Sequence, residues 1–426
     1  MLTGRGNDSL KRRRPILRWA AFAGLLGALG MLVAACGADP TATPAPTPTP
    51  RPAATPTSAA PEAGTPTAPT ATPTEAVPAW QVEWDETVAA AREEGKLVIA
   101  LGGNASRSFA PRFEAFEAEM GIEIIAGTGG GSVQFAKLKA EREAGVFSTD
   151  VWMTGITSTK NINGVGALKD NFTDHLILPD VIDPNNWFGG HLWFPNGLEN
   201  TTIAFCASPN VAFSYNTDLA DVSGLTSWWD LVDGRFKGQW VGKLPWEPGQ
   251  TDSEHFINKP ELGEPFIRAF MLEQDAEWVA DAQQAVDLLA KGVKAIFMPT
   301  GNASDDIDAL ETFGLPVKNH FAQGFKEGGV IGIGGVCSAS LLRDNPNPNA
   351  QKVFINWWLG KDNLYEASGI TNDHSLRLDV PTDKLGENYI RKEGVEYFFP
   401  EADPAVPTDN PGLAFNRKLA EEAGLR

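Results

Sequence analysis

Residues 96–132 read KLVIALGGNASRSFAPRFEAFEAEMGIEIIAGTGGGS and contain the pattern that decides the fold. An apolar, β-rich run at 96–101 ends at a glycine pair. In the helical stretch that follows, Phe109, Phe113 and Phe116 recur at spacings of four and three. A second apolar run, residues 122–126, ends at another glycine-rich loop. Strand, loop and helix alternate, which predicts an α/β fold whose mostly parallel sheet carries helices on both faces.

The same alternation continues downstream and predicts a second α/β unit. A helix and a strand follow the glycine-rich loop, and the middle of the chain returns to short strands and a strongly helical stretch. A late amphipathic helix carries large apolar residues on one side. The predicted helices are 133–144, 276–290 and 349–359, and the predicted strands are 150–153, 202–205, 212–215 and 295–298.

The N-terminus has the composition of an export signal. Basic residues at 11–14 precede an apolar run at 19–35, and small residues precede Cys36. Residues 33–36, Val-Ala-Ala-Cys, resemble the lipobox of bacterial lipoproteins, which implies a signal peptide at 1–36 and lipidation of Cys36. A short membrane anchor and ordinary secretion are the alternatives. The segment around Arg13 and Arg14 is similar to a twin-arginine signal, so the export route stays open.

The segment that follows the signal is rich in proline, threonine and alanine. Residues 37–78 show no apolar periodicity and are predicted to form a disordered tether. Removing the signal, which carries a net charge of +5, takes the formal charge from −19 to −24. A surface of this sign repels nucleic acid, so no nucleic-acid partner is expected.

Motifs of common enzyme classes are missing from the sequence. H-E-x-x-H, G-x-S-x-G, C-x-x-C and the P-loop do not occur, and the five histidines have no metal-ligand spacing. The nearest catalytic grouping is residues 253–255, Ser-Glu-His, for which a polar loop facing water is the favoured interpretation. The sequence therefore predicts a protein that is not an enzyme, with a triad assembled from distant residues as the alternative.

Two cysteines remain once Cys36 is lipidated. Cys206 and Cys337 lie on separate predicted strands, in a compartment that permits oxidation. A bridge between them would close a loop of about 130 residues and stabilise the fold by roughly 4 to 5 kcal/mol. Two buried free thiols are the alternative.

Several short segments of the body share their pattern with one protein family. They are GIEI at 121–124, KLKAEREAG at 137–145, TDV at 149–151, FSYNT at 213–217, FKGQWVG at 236–242 and NPNAQKVFI at 347–355. Together they resemble the solute-binding lipoproteins of ABC importers, in the subgroup of the ferric-iron-binding proteins, and the resemblance covers most of residues 83–359.

The resemblance implies a two-lobe, type II periplasmic-binding-protein fold with a ligand cleft between the lobes. Lobe 1 would begin with 79–205, lobe 2 would be 206–325, and 326–426 would return to lobe 1 and add the C-terminal helices. Crossover strands would lie near 202–213 and 318–338. Cys206 and Cys337 would then lie near the hinge, which is consistent with pairing.

The resemblance also implies a solute and its partners. The iron-binding members hold the metal with adjacent tyrosines, and no Tyr-Tyr pair occurs in this sequence. The expected solute is iron or an iron chelate, a small organic or phosphorylated compound, a phosphonate or a polyamine. No cofactor is expected unless a metal or metal chelate is itself the ligand. The expected partners are an ABC permease and its ATPase.

Candidate ligand-binding residues lie in loops that follow predicted strands, because ligands of open α/β sheets bind beyond the carboxyl ends of the strands. The glycine-rich loop at 127–132 could hold an anion on its backbone N–H groups or be simply a tight turn. Tyr215 is expected near the hinge. Trp246 could stack on a sugar ring or a cation, or plug the core. The candidates are Asn104, Ser106, Gly130, Ser132, Thr154, Thr157, Tyr215, Trp246, Gln250 and Asn302.

The resulting hypothesis is a monomeric lipoprotein, lipid-anchored to the outer face of the cell membrane, that closes its lobes on a small solute and delivers it to a permease. An extracytoplasmic enzyme that uses the same cleft is one alternative. A ligand-sensing lipoprotein for a signalling partner is another.

Overall fold

The computed structural model describes residues 76–102, 105–127, 129–247, 252–299 and 303–426. The predicted signal peptide, Cys36 and all but the last residues of the predicted tether lie outside the described residues.

The described residues form helices and strands in alternation. The helices are α1 Ala79–Glu94, α2 Ala105–Ser108, α3 Ala110–Met120, α4 Gly131–Glu143, α5 Ile156–Gly164, α6 Pro179–Ile182, α7 Trp228–Leu231, α8 Asp252–Ile257, α9 Gly263–Arg268, α10 Ala282–Ala290, α11 Ser304–Thr312, α12 Pro348–Trp358, α13 Lys361–Thr371 and α14 Pro411–Glu422. The strands are β1 Lys96–Leu101, β2 Glu123–Ala126, β3 Val151–Met153, β4 Thr202–Ala204, β5 Ser208–Pro209, β6 Val211–Asn216, β7 Trp240–Lys243, β8 Glu277–Val279, β9 Ile296–Phe297, β10 Val317–Phe321, β11 Gly329–Gly332, β12 Ser338–Leu341 and β13 Tyr397–Phe398.

The first lobe is built on a sheet in the order β2-β1-β3-β12-β4. β1 pairs in parallel with β2 and β3, while β12 is antiparallel to β3 and β4. Leu97 and Ile99 of β1 join a core with α1, α3 and α12, whereas Ala100 joins another with α4 and α5. This placement follows from the alternation of side chains along a strand. The predicted α/β fold with helices on both faces is confirmed, but the sheet is mixed rather than mostly parallel, because two of its four strand pairings are antiparallel.

The phenylalanines at helical spacing pack into the first core. Phe109 contacts Trp358 edge to face at 5.1 Å between ring centroids, and Phe116 contacts Phe354 at 5.4 Å. Such aromatic pairs add about 0.5 to 1.5 kcal/mol beyond the burial of their area. The segment that predicted the fold is thus also the one that joins α3 to α12.

The second lobe is built on a sheet in the order β10-β6-β9-β7-β8. β9, β7 and β8 are parallel, and β6 is antiparallel to β9 and β10. Phe213 and Trp240 face a core shared with α8, α9 and α14. Val241 and Phe297 face another core, shared with α10 and α11. The predicted second α/β unit is therefore present.

One predicted helix in this lobe is wrong over its first part. Residues 277–279 form β8, which pairs in parallel with β7, and α10 begins only at Ala282. Asp281, two residues after the strand, caps the helix by accepting a hydrogen bond from the Gln283 N–H at 3.0 Å. Val279 is buried and Trp278 packs on Phe270, so contacts with the sheet outweigh the helical periodicity of the neighbouring residues.

The chain passes between the two sheets at 205–210 and 322–337. β5 and β11 lie in these crossovers and, with β13, form a small third sheet. Cys206 and Cys337, one in each crossover, are joined by a disulfide with their Cα atoms 4.9 Å apart. Both crossovers lie where the resemblance implies them.

The C-terminal segment makes a third passage between the sheets. After α13, residues 372–410 run along the crossovers, and α14 then packs on α8 and α9. Leu419 and Ala420 are buried in the second core, and the Asn416 amide donates to the Pro245 carbonyl at 2.8 Å. The prediction adds the C-terminal helices after the return to lobe 1 without assigning them to a lobe, and these contacts place α14 on the second lobe. In the described part of the chain, no helix has both the length and the apolar composition needed to cross a bilayer.

Candidate functional site

Three loops meet where the parallel strands of the first sheet end. Gly102 follows β1, Gly127 follows β2 and Thr154 follows β3. A Cβ atom at Gly102 would lie 3.4 Å from the Gly335 carbonyl oxygen and 3.5 Å from Thr154 Cα. The loops therefore touch one another and the second crossover, at the edge where open α/β sheets bind ligands. We call this edge, from Gly102 through the starts of α4 and α5, the strand-end site.

Two helices begin at the strand-end site without side-chain caps. The N-cap residues of α4 and α5 are Gly130 and Gly155, neither of which offers a side-chain acceptor. A Cβ atom at Gly131 would collide with Ser158 Oγ, so the absence of a side chain lets the two helix starts approach. The first N–H groups of a helix have no partner within the helix and carry partial positive charge. The site therefore presents backbone donors.

Two buried polar side chains reach the same place. Thr154 is completely buried and Gln134 is 5% exposed. Among the described residues, neither Thr154 Oγ1 nor Gln134 Nε2 has a hydrogen-bond partner. Thr154 Oγ1 lies 3.6 Å from the position of a Cβ atom at Gly131, and Gln134 Nε2 lies 3.0 Å from that position at Gly127. A buried donor without a partner costs about 1 to 3 kcal/mol, which a ligand atom would recover.

Five predicted residues lie along this edge. Ser106 is half-buried in α2, Gly130 and Ser132 are exposed at the start of α4, Thr154 is buried, and Thr157 is exposed in the first turn of α5. Asn104, Gln250 and Asn302 lie outside the described residues.

Sequence reasoning missed Gln134 and Ser158, which also lie at the site. Each lies in the first turn of a helix that follows a glycine-rich loop or a strand end. That position in the sequence could have identified them as candidates.

Tyr215 lies away from the hinge, whereas the sequence analysis expects it near the hinge. β6 begins directly after the first crossover, and Tyr215 lies near its other end, about 13 Å further along at the usual strand rise. It pairs in register with Lys318, which forms an ion pair with Glu311 at 3.2 Å. Burial raises the pKa of Tyr215. The strand direction thus carries this phenol away from the crossovers.

Trp246 does not have the exposure that a ligand-stacking ring needs. It is 4% exposed and belongs to the second core. Its ring meets that of Trp278 edge to face at 6.0 Å. The loop residue therefore serves as a packing plug, the alternative that the sequence left open.

Residues 253–255 are neither a loop facing water nor a catalytic triad. They lie in α8, where Ser253 and His255 are buried. Ser253 Oγ accepts a hydrogen bond from Asn416 of α14, and neither ring nitrogen of His255 has a partner among the described residues. The ring contacts Trp228 and Phe398, and burial lowers the pKa of His255 to about 3. Ser253 is buried because α14 packs on α8 and donates the Asn416 amide to its hydroxyl.

Acidic residues gather where α11 meets the C-terminal segment. The Tyr389 hydroxyl donates to Asp308 Oδ2 at 2.6 Å, and Ser208 donates to Asp373 Oδ1 at 3.1 Å. Burial raises the pKa of Asp373 to about 6. Burial, followed by the charges of Asp308 and its neighbours, also raises the pKa of Asp305.

Metal-ligand spacing occurs in the described residues only for Cys206, Cys337 and Asp373. The two sulfurs are joined in the disulfide, so this group offers a single carboxylate and does not suit a metal ion.

Two α/β lobes joined by crossovers, with polar loops at the strand ends, define the class of two-lobe, type II solute-binding proteins. Residues 112–394, more than half of the chain, match the family model of bacterial extracellular solute-binding proteins. The chain belongs to this family, whose binding proteins act outside the cytoplasm and deliver solutes to ABC permeases. No curated protein matches the sequence.

Solved structures share the fold at low identity. The Trichodesmium protein IdiA (FutA), in complex with iron and citrate ligands, is 15% identical with a TM-score of 0.58, covering 78% of this chain and 100% of its own. Apo FutA2 from Synechocystis is 15% identical with a TM-score of 0.53, covering 78% and 99%. AfuA from Actinobacillus pleuropneumoniae, with fructose-6-phosphate bound, is 17% identical with a TM-score of 0.51, covering 78% and 99%.

Proposed function

We propose that this chain is the solute-binding lipoprotein of an ABC importer. It captures a small solute between its two lobes and hands it to a permease that is driven by an ATPase. The observation that carries the proposal is the strand-end site, where unpaired polar atoms of the first lobe lie beside the crossover that leads to the second. A closing second lobe would cover that edge and exclude water from the solute.

The lipid anchor is part of the proposal. The basic residues at 11–14, the apolar run and Cys36 support export and lipidation, and the proline-rich segment supports a tether. The protein would act as a monomer on the outer face of the cell membrane, with no catalytic step.

The solute is either iron or an iron chelate, or a small organic or phosphorylated compound. The four tyrosines lie on separate elements, and three of them donate their hydroxyl groups to Asp308, Gln323 and Asp383. A bare ferric ion held by paired phenolates is therefore disfavoured. The iron with citrate in the Trichodesmium protein and the fructose-6-phosphate in AfuA support a chelate or a phosphorylated compound as the solute here.

A thermal-shift panel tests this proposal. The protein from residue 37 onward is unfolded and refolded to remove any carried ligand, then heated with ferric citrate, metal ions, sugar phosphates, phosphonates, polyamines and sugars. A ligand at 100 times its dissociation constant adds about 2.7 kcal/mol and raises Tm by several degrees. A single chemical class of hits is expected. Turnover of the hit would instead indicate an enzyme, and a flat panel would contradict solute capture.

A further inference from the structure

We propose that the strand-end site binds an oxyanion group of the solute, a phosphoryl, phosphonyl or carboxylate end. This inference rests on the proposed function. It states that the first lobe binds the anionic end of the solute. The geometry that points to it combines two uncapped helix starts with two buried polar side chains that have no hydrogen-bond partner among the described residues.

The helix starts supply the first part. α4 and α5 span 13 and 9 residues, long enough for aligned peptide dipoles to place partial positive charge at their N-termini. Both begin at glycine N-caps, and the clash that any side chain at Gly131 would make with Ser158 shows that the two starts converge. Converging N-termini hold anions through backbone N–H groups.

The buried side chains supply independent support. Thr154 Oγ1 points at the start of α4, 3.6 Å from the Cβ position of Gly131. Gln134 Nε2 points back toward Gly127 at the end of β2. An amide nitrogen only donates and a hydroxyl can donate, so both complement an acceptor-rich oxyanion. Their lack of a partner among the described residues leaves them available to a ligand.

The helix starts of the two lobes differ in charge. Neither α4 nor α5 has an acidic residue in its first turn. α11 of the second lobe has Asp305 and Asp306 in its first turn. In a chain whose formal charge is −19, the helix starts of the strand-end site are thus free of the carboxylates that would repel an anion.

The test uses the protein from residue 37 onward and three substitutions at the site. T154V removes the hydroxyl at nearly constant volume, T154S restores it, and Q134E replaces the amide donor by a carboxylate. T87V is the matched control, because Thr87 is also a buried threonine but its hydroxyl donates to the Glu83 carbonyl in α1. Calorimetry measures the dissociation constants of fructose 6-phosphate, methylphosphonate, inorganic phosphate, citrate and ferric citrate, with fructose and spermidine as the neutral and cationic probes.

We expect binding of an oxyanion probe and none of fructose or spermidine. T154V should weaken that binding about tenfold, as loss of a hydrogen bond to a charged group does, with T154S close to the parent protein. Q134E should weaken it more, and T87V should leave it unchanged. Comparing the dissociation constants of the phosphoryl and phosphonyl probes with that of citrate identifies the kind of oxyanion that the site prefers.

Each contrary result has its own meaning. Tight binding of fructose or spermidine, unchanged in T154V and Q134E, would overturn the oxyanion site and leave solute capture standing. Oxyanion binding that the three site variants do not alter would also overturn it. Failure of every probe would contradict the proposed function itself. Thermal melting of each variant reports folding, and T154S with T87V separates a lost contact from a damaged core.

Discussion

His255 shows how an enclosed side chain contributes to the acid response of this protein. Aromatic rings surround it, and burial holds its pKa at about 3; burial also lowers the pKa of His320 to about 4 and of His374 to about 3. In the unfolded chain a histidine has its ordinary pKa near 6.5. Between these values the unfolded state binds more protons at these histidines, so their contribution to stability is present above about pH 6.5 and is lost as the pH falls.

Replacing His255 by phenylalanine should therefore flatten the acid response. H255F removes two ring nitrogens without partners, which should raise Tm at pH 7 by a few degrees. It should also remove the contribution of His255 to the loss of folding free energy between pH 6.5 and 4, which is up to about 1.4 kcal/mol per pH unit. Differential scanning calorimetry from pH 7.5 to 4 measures both effects. The exposed His191, changed in H191Q, is the control; an unaltered pH slope in H255F would contradict the assignment.

At this scale the sequence predicts positions better than roles. Ser106, Gly130, Ser132, Thr154 and Thr157 lie shortly after β1, β2 or β3 because strand ends are visible in the apolar pattern, and their part in ligand binding stays a prediction. The sequence could not decide between the two roles of Trp246 or place Tyr215, because burial and strand direction depend on the partner strands. Gln134 was missed because its unpaired amide exists only once β2 and α4 fold together.

Among the elements, the disulfide between the crossovers has the largest expected effect on stability. It closes a separation of 131 residues, for which chain-entropy reasoning gives about 4 to 5 kcal/mol. The double substitution C206S/C337S should lower the urea midpoint accordingly while leaving the sheets intact. Urea unfolding of both proteins, with the parent under reducing conditions as a second control, measures this. Equal midpoints would show that the bridge adds no constraint to the unfolded chain.

The last helix should be needed by the second lobe. Ending the chain at Asp409 removes α14, which exposes the core around Leu419 and leaves Ser253 without the Asn416 amide. Loss of such a packed helix should lower Tm by several degrees or separate the unfolding of the two lobes. Removal of the exposed residues 424–426 alone is the matched control and should change little. An unchanged melting curve after removal of α14 would contradict its role in the core.

Element boundaries were predictable where apolar runs were long. β1 begins and ends as the sequence indicates, because five apolar residues follow Lys96 without interruption and glycine closes the run. β8 was hidden inside a helical pattern, since three residues at the edge of a sheet leave too little periodicity to outweigh the α10 helix that follows.

At the scale of the whole molecule, three passages of chain join the lobes. The crossovers at 205–210 and 322–337 run beside the segment at 372–410, which is held by Arg391 through the carbonyl oxygens of Ala207, His374 and Ser375. The two crossovers were predictable by resemblance. The third passage was not, because it depends on where α14 docks.

Ligand binding should make the molecule more compact. A solute that joins the strand-end site to the second lobe would favour a closed arrangement, so the radius of gyration should fall when a ligand is added. Small-angle X-ray scattering with and without the hit from the thermal panel measures this. C206S/C337S should still close, because the crossovers remain, whereas an unchanged radius with saturating ligand would argue against hinge closure.

The docking of α14 on the second lobe also puts the first and last described helices on different lobes. α1 packs on α12 of the first lobe, so a fluorophore on each of these two helices reports the opening angle without any insertion into an internal loop. Glu86 on α1 and Lys418 on α14 are exposed, and the native Cys206 and Cys337 are consumed in their bridge. In a chain that begins after Cys36, the thiols of E86C and K418C would therefore be the ones that accept dyes. The labelled protein would report binding of its own solute as an optical signal.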